Sequence, residues 1–284
     1  MQNFDFFSAS TVEDGLDYLF KRQEQCRVIA GGTDLIPLLR TQETCPDHVL
    51  DILNVEALKG IAEDGDRIRI GPTTTFTEIM GSDLLQRTVP LLVQAASSVG
   101  APPIRNRGTV GGNIATASPA ADVLPALMAL GAILEVRSRT SGTRVLPLTE
   151  AMEVPYETRL RPDELITGVF VQKPLPGTCG AFEKLGRRRA LARARMNMTV
   201  ILRKDEDGRV AEARIVPGAV MPVARRMNEA ESILQGRIPD EARIEEAAKA
   251  LEAGVLQTTG RRWSSEYKLP VLKNVFKRVF KRLL

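Results

Sequence analysis

The chain has 284 residues, 43% of them hydrophobic and 26% charged, a balance that fits a folded globular protein and excludes a disordered one. Net charge is +4 and aromatics make up 5%, which argues against a single-strand nucleic-acid binder, where bases stack on rings. A lone histidine, His48, and three scattered cysteines (Cys26, Cys45, Cys179) without CxxC spacing argue against a histidine-based triad, a multi-histidine metal site or an iron–sulfur cluster held by this chain alone.

Residues 11–20 (TVEDGLDYLF) predict a short helix opened by a Ser or Thr cap. RVIA (27–30) predicts a strand that runs into Gly31-Gly32, DLIPLLR a helix with Pro37 in its first turn, and VLDIL (49–53) a second strand. Strand, glycine turn, helix, strand is a parallel crossover unit. RIRIG (67–71) predicts an alternating strand, and TTTFTEIM and LLQRTVPLLVQAASSV predict helices. Residues 99–122 (VGAPPIRNRGTVGGNIATASPAAD) are so rich in Gly, Pro, Ala and Asn that an extended, close-packed loop is expected. VLPALMALGA then predicts a helix ending at Gly131, and AILEVRS, TRVLPL and LITGVFV predict a second sheet.

KPLPGTCG marks a linker. Beyond it AFEKL, MTVILRK and AEARIVPG predict strands, and NEAESILQG and DEARIEEAAKALEAG predict helices. The closing YKLPVLKNVFKRVFKRLL is a basic amphipathic helix that suits docking on its own domain or a partner better than a membrane surface. Arg187, Arg188, Arg189, Arg193 and Arg195 form a basic cluster: a solvated face, a docking face for an acidic partner, or a stabiliser of an anionic cofactor. No basic-then-apolar leader opens the sequence and no run reaches the roughly 18 apolar residues of a membrane span, so a cytoplasmic location is expected.

Two turns carry the chemistry. Ala30-Gly31-Gly32-Thr33-Asp34 leaves a strand and enters a helix, where backbone N–H groups suit a diphosphate, although a glycine pair there also serves structure alone. It is neither GxGxxG nor a P-loop. Thr109-Val110-Gly111-Gly112-Asn113 is expected to offer a second set of free N–H groups, with glycines that let the backbone approach a ligand. Asp122, at the start of the next helix, suits either a helix cap or a ribose diol. Two such turns in successive α/β blocks suggest one long, phosphate-bearing ligand of the length of FAD.

The run Ala30 to Asp34, then Ile104 to Ala115 (IRNRGTVGGNIA), then Ser118 to Asp122 (SPAAD), closely resembles the FAD-binding medium subunits of molybdenum hydroxylases of the xanthine, carbon monoxide and nicotinate dehydrogenase type. The likeness continues through Phe182 to Arg188 and Ser265 to Lys268, and so spans nearly the whole chain, with its wording nearest the purine or nicotinate members. It implies an α+β fold: a vanillyl-alcohol-oxidase (PCMH)-type FAD-binding domain over 1–174, made of two α/β subdomains (about 1–57 and 58–174). A small flavoprotein C-terminal α+β domain would follow over 178–284. It also implies that Ile29, Ala30, Gly31, Gly32, Thr33, Asp34, Leu35 and Ile36 hold the FAD pyrophosphate and that Thr109, Val110, Gly111, Gly112 and Asn113 complete the cradle. Asp122 would bind the ribose or adenine side, Ile166 would pack near adenine or flavin, and Lys184 would sit by the flavin or its phosphate. The implied partners are a large molybdopterin subunit and a small subunit with two [2Fe–2S] clusters, in a hetero-oligomer that passes electrons through FAD to an acceptor such as NAD+. A flavin relay needs no side-chain nucleophile, which suits a chain with one histidine. A stand-alone flavin oxidase of the same fold would bring catalytic His, Tyr or Arg residues. A non-enzymatic basic interaction module would not need both glycine turns.

Overall fold

Thr11 opens the first helix by a reciprocal cap: its hydroxyl accepts the Asp14 N–H at 3.1 Å and the Asp14 carboxylate accepts the Thr11 N–H at 3.0 Å. The helix, Val12–Arg22, turns Val12, Leu16 and Leu19 inward at the spacing of one helical face. They bury against Leu50 of a small parallel sheet and Ile52 just after its strand. The structure, a computed structural model, describes residues 3–188 and 191–284. Arg189 of the basic cluster lies outside the described residues.

The parallel sheet has the order β1-β3-β2, with β1 Asp5–Ser8, β2 Cys26–Ile29 and β3 His48–Asp51. Helix Leu35–Thr41 makes the crossover between β2 and β3. The sequence pattern predicts no strand at β1, because DFFS neither alternates nor forms an apolar run. A second sheet is antiparallel in the order β4-β5-β10-β6-β7. Its strands are β4 Ile61–Asp64, β5 Arg67–Ile70, β6 Ile133–Ser138, β7 Gly142–Pro147 and β10 Glu164–Gln172. A short hairpin, β8 Met152–Val154 and β9 Glu157–Thr158, precedes β10.

A third sheet follows, antiparallel, in the order β11 Thr178–Gly186, β12 Ala194–Lys204, β13 Val210–Gly218. Helices Asn228–Leu234, Glu241–Thr259 and Ser265–Lys281 share its core with Met196, Met198, Val200 and Ile215. The last helix docks on its own unit. Leu272, Val275, Phe276, Val279 and Phe280 are buried, while Lys273, Lys277 and Lys281 pair with Glu252, Glu245 and Glu241 at 2.9, 2.8 and 2.5 Å. Among the described residues no helix is long and apolar enough to cross a membrane.

Contacts divide the chain into two compact units: Met1–Leu84 with Ala101–Ala117 and Gly131–Gln172, and Leu85–Gly100 with Ser118–Leu130 and Lys173–Leu284. The first holds the parallel sheet and the five-stranded sheet; the second holds the third sheet. Helices Pro90–Ser97 and Val123–Ala129 therefore belong with the third sheet, packed on β11 and β13.

The expected loop over 99–122 is corrected. It contains the helices Pro102–Arg105 and Val110–Thr116. Pro102 stands at the first helical position, where its fixed φ fits and its missing N–H costs nothing, and Thr109 caps the second helix with its side chain. The glycines sit inside that helix for reasons of packing.

Candidate functional site

Strand β2 ends at Ile29, and the chain turns through Ala30 to Asp34 into helix Leu35–Thr41. Gly32 takes a left-handed φ of +71°, which a residue without Cβ adopts freely. The Ile36 N–H returns to the Gly32 carbonyl at 3.0 Å. Among the described residues, the N–H groups of Gly31, Gly32, Thr33 and Asp34 make no hydrogen bond within the protein. Four successive donors without partners form an anion-binding concavity. Gly31 has a separate task. A Cβ there would fall 1.8 Å from the Arg107 carbonyl oxygen, so this turn is pressed against the backbone that leads into the second glycine segment.

That second segment differs from the sequence expectation. Val110 N–H donates to Thr74 O at 3.0 Å, Gly111 N–H to Pro72 O at 2.8 Å, and Asn113 N–H to Thr109 O at 2.9 Å. Gly112 N–H donates to the Thr109 hydroxyl at 3.2 Å. Four of the five donors expected to be free here are engaged, because Thr109 starts a helix and the segment leans on the 72–74 turn; the Thr109 N–H, at the cleft wall, is left without a partner among the described residues. A Cβ on Gly111 would meet Pro72 Cβ at 2.6 Å and Pro72 O at 2.7 Å, so Gly111 spares a neighbouring peptide. Val110 is fully buried.

The two segments wall one cleft of about 520 Å³ in the first unit. That volume is within the range of about 300–1,000 Å³ usual for ligand sites. Ile29 to Leu35 line one side and Thr109, Gly112 and Asn113 the other. Ile36 is not on its wall. The Asn113 side-chain oxygen is buried without a hydrogen-bond partner. An orphaned buried acceptor costs stability and marks a place where a ligand supplies the missing donor. A smaller recess of about 100 Å³ shares Ala30 and Gly112 with the cleft and adds Gly111, Ile166 and Glu164. The Glu164 carboxylate is held there by Arg144, at 2.6 and 2.7 Å. Burial raises its pKa, but the Arg144 hydrogen bonds, the Arg161 N–H and both guanidinium charges outweigh that and leave it lowered.

Sequence reasoning missed Phe76, Thr116 and Tyr156 on the wall of the cleft. Tyr156 adopts φ +68°, a left-handed conformation costly for an aromatic residue, and its N–H is held by the Ala117 carbonyl at 3.0 Å. Pro155 before it is the only sequence signal of a turn.

Asp122 and Lys184 lie in the second unit and bond to each other at 2.6 Å. The Asp122 carboxylate also accepts Asn197 Nδ2 at 3.2 Å, and the Lys184 ammonium donates to Ser98 O at 2.9 Å. The Asp122 side chain makes no capping bond to its helix, so the cap reading fails. Burial pushes the Asp122 carboxyl up, against the pull of Lys184 and Asn197.

A row of free N–H groups and an orphaned asparagine oxygen on one cleft suit a phosphate-bearing ligand, and those groups fit FAD. Comparison with known proteins states the class. Residues 2–174 match the FAD binding domain in molybdopterin dehydrogenase, and residues 181–283 match the CO dehydrogenase flavoprotein C-terminal domain. The chain belongs to the FAD-binding medium subunits of the molybdenum hydroxylases, and is an oxidoreductase subunit with FAD as its cofactor. It is 31% identical to the nicotinate dehydrogenase FAD-subunit of Eubacterium barkeri, over 100% of this chain and 97% of that one. It is 30% identical to the carbon monoxide dehydrogenase medium chain of Afipia carboxidovorans, over 99% and 96%. Reconstituted CO dehydrogenase from Oligotropha carboxidovorans superposes with a TM-score of 0.93 at 28% identity, covering 99% of this chain and 97% of that one.

Proposed function

We propose that this chain is the flavin-bearing electron carrier of a three-subunit molybdenum hydroxylase, with a large molybdopterin subunit, a small subunit of two [2Fe–2S] clusters and a cytoplasmic location. When bound, FAD supplies electron transfer between those clusters and an acceptor such as NAD+. The observation that carries the site is the row of unpartnered N–H groups from Gly31 to Asp34 facing a cleft that also holds the orphaned Asn113 oxygen. In this reading Ile29 to Leu35 hold the pyrophosphate, and Ile36, outside the cleft, supports the turn through its N–H bond to the Gly32 carbonyl. Thr109 to Asn113 act differently from the first turn: the Asn113 oxygen and the Thr109 N–H offer the ligand bonds, and Val110, Gly111 and Gly112 shape the wall. Ile166 packs in the smaller recess against the adenine or flavin. The roles of Asp122 toward the ribose and of Lys184 toward the flavin rest on the family likeness, as does the division at 174–178.

Purified chain should show oxidised-flavin absorption, and heat should release FAD. Asn113→Ala is expected to raise the FAD Kd about tenfold, the loss of about 1.4 kcal/mol of one buried hydrogen bond. The melting temperature of the FAD-free variant should not fall, since the change removes an unsatisfied oxygen. A colourless chain that takes up no added FAD would overturn the proposal; Asn113→Ala with unchanged affinity would overturn the role of Asn113.

A further inference from the structure

The last helix, Ser265–Lys281, pairs its later cations with acids. Lys273, Lys277, Arg278 and Lys281 each face a glutamate, and Arg282, just after it, shares Glu183 with Arg278. Its first turn breaks the pattern. Among the described residues, no carboxylate lies within ion-pair distance of Lys268, nor of Arg262 just before the helix, nor of Arg195 on β12. Yet Lys268 has cations around it: Arg262 shares with it the wall of one small cleft, and the Arg195 guanidinium, 5.8 Å from the ring centre of the adjacent Tyr267, is near enough for its charge to act on it. Burial, with the charges of Arg262 and Arg195, pulls the Lys268 pKa below the lysine range.

The cleft has a volume of about 30 Å³ and a polar lining that includes Thr259 and Ser264. By the criterion of about 10–15 Å³ for one water, it takes the leading atoms of a small anion and nothing larger. The Lys268 ammonium donates to the Ala219 carbonyl at 3.0 Å, which leaves it two further donors. Ala219 is in the left-handed region, at φ +59°, so local strain is held where the wall meets this lysine. Three clustered cations without acids repel one another, and an anion removes that repulsion.

We propose that Arg195, Arg262 and Lys268 bind a phosphate group, free or as an ester, at a site within the second unit. A phosphate carries close to two charges and three or four acceptor oxygens, which two guanidinium forks and an ammonium match. A single protein carboxylate brings one charge and two oxygens, and leaves the cluster under-neutralised.

Trp263, the only tryptophan of the chain, follows Arg262 and is 94% exposed, so its emission reports on this place. Full-length chain would be titrated with inorganic phosphate, with phenyl phosphate and with chloride at fixed ionic strength. A saturable change with phosphate and none with chloride is expected. Arg262→Gln and Lys268→Gln should each weaken it tenfold or more, whereas Lys249→Gln should not; Arg262 is exposed, so its variant keeps the fold even if Lys268→Gln does not. Tighter binding of phenyl phosphate would identify an ester as the ligand, and equal or weaker binding free phosphate. A response reproduced by chloride, or unchanged in both variants, would overturn the site. So would variants that bind phosphate normally but lose an acidic partner subunit at low salt, which would make the cluster a docking face.

Discussion

Gly31 and Gly111 are glycine for the sake of a neighbouring peptide. A methyl on Gly31 would sit 1.8 Å from the Arg107 oxygen, and one on Gly111 would sit 2.7 Å from the Pro72 oxygen. Backbone does not swing aside as a side chain does. Gly31→Ala is therefore expected to cost about 3 kcal/mol or more, and Gly111→Ala about 1–3 kcal/mol, both read from denaturant unfolding of the FAD-free chain. Gly112→Ala meets only the Thr109 hydroxyl, at 2.9 Å, and should cost about 1 kcal/mol through the weakened cap. An unchanged Gly31→Ala midpoint would refute the packed-turn argument. The sequence marked all these glycines, because Gly pairs beside strands and helices are rare enough to notice. It did not reveal which atoms they spare. Arg107 and Pro72 are far along the chain from their glycines, and a reading of local spacing sees only near neighbours. Tyr156 was invisible for the same reason: its position on the wall comes from a strained turn fixed by Ala117.

At the scale of elements, strands and helices with a clear period were legible in type, and their ends shifted by a few residues. The 99–122 segment was not, since composition alone cannot separate a glycine-rich loop from a glycine-bearing helix that Thr109 caps. Two polar joints between elements were also beyond a linear reading. Lys184 of β11 and Asn197 of β12 hold Asp122 at the head of helix Val123–Ala129. Lys184→Met leaves that buried carboxylate without its cation and is expected to cost about 3–5 kcal/mol. Adding Asp122→Asn should recover much of the loss, and an additive double variant would contradict the coupling. Glu164 of β10 and Arg144 of β7 form the second joint. Folded Glu164 holds its proton less tightly than unfolded Glu164. Its contribution is therefore present above the ordinary glutamate range and lost as pH falls from there through its lowered folded value. Stability measured from pH 7 down to pH 3 should fall less steeply in Arg144→Met than in the parent. Arg144 is partly exposed, so the variant should cost about 3 kcal/mol at neutral pH, at the low end for a buried pair. Equal slopes would show that Glu164 does not report the acid transition.

At the scale of the whole molecule, the path of the chain decides what can fold alone. The family match ends its first part at residue 174, yet residues 85–100 and 118–130 belong to the unit built around β11, β12 and β13. Helix Pro90–Ser97 buries Leu91 and Leu92, and helix Val123–Ala129 buries Leu124 and Leu127. These helices pack on strands that come after residue 174. A fragment of residues 1–174 would expose those side chains, and each large apolar residue left in water forfeits about 1.5–3 kcal/mol. Four of them forfeit about 6–12 kcal/mol at that rate, comparable with the whole stability of an ordinary domain at about 5–15 kcal/mol. The fragment is therefore expected to aggregate, or to elute expanded on size exclusion with little bound flavin. Co-expression with residues 175–284 should restore a compact, yellow complex, because the missing strands return in trans. A monomeric fragment with full FAD content would mean that the two helices are dispensable to the cofactor site, and that the interleaving of the chain is a matter of connectivity rather than of stability.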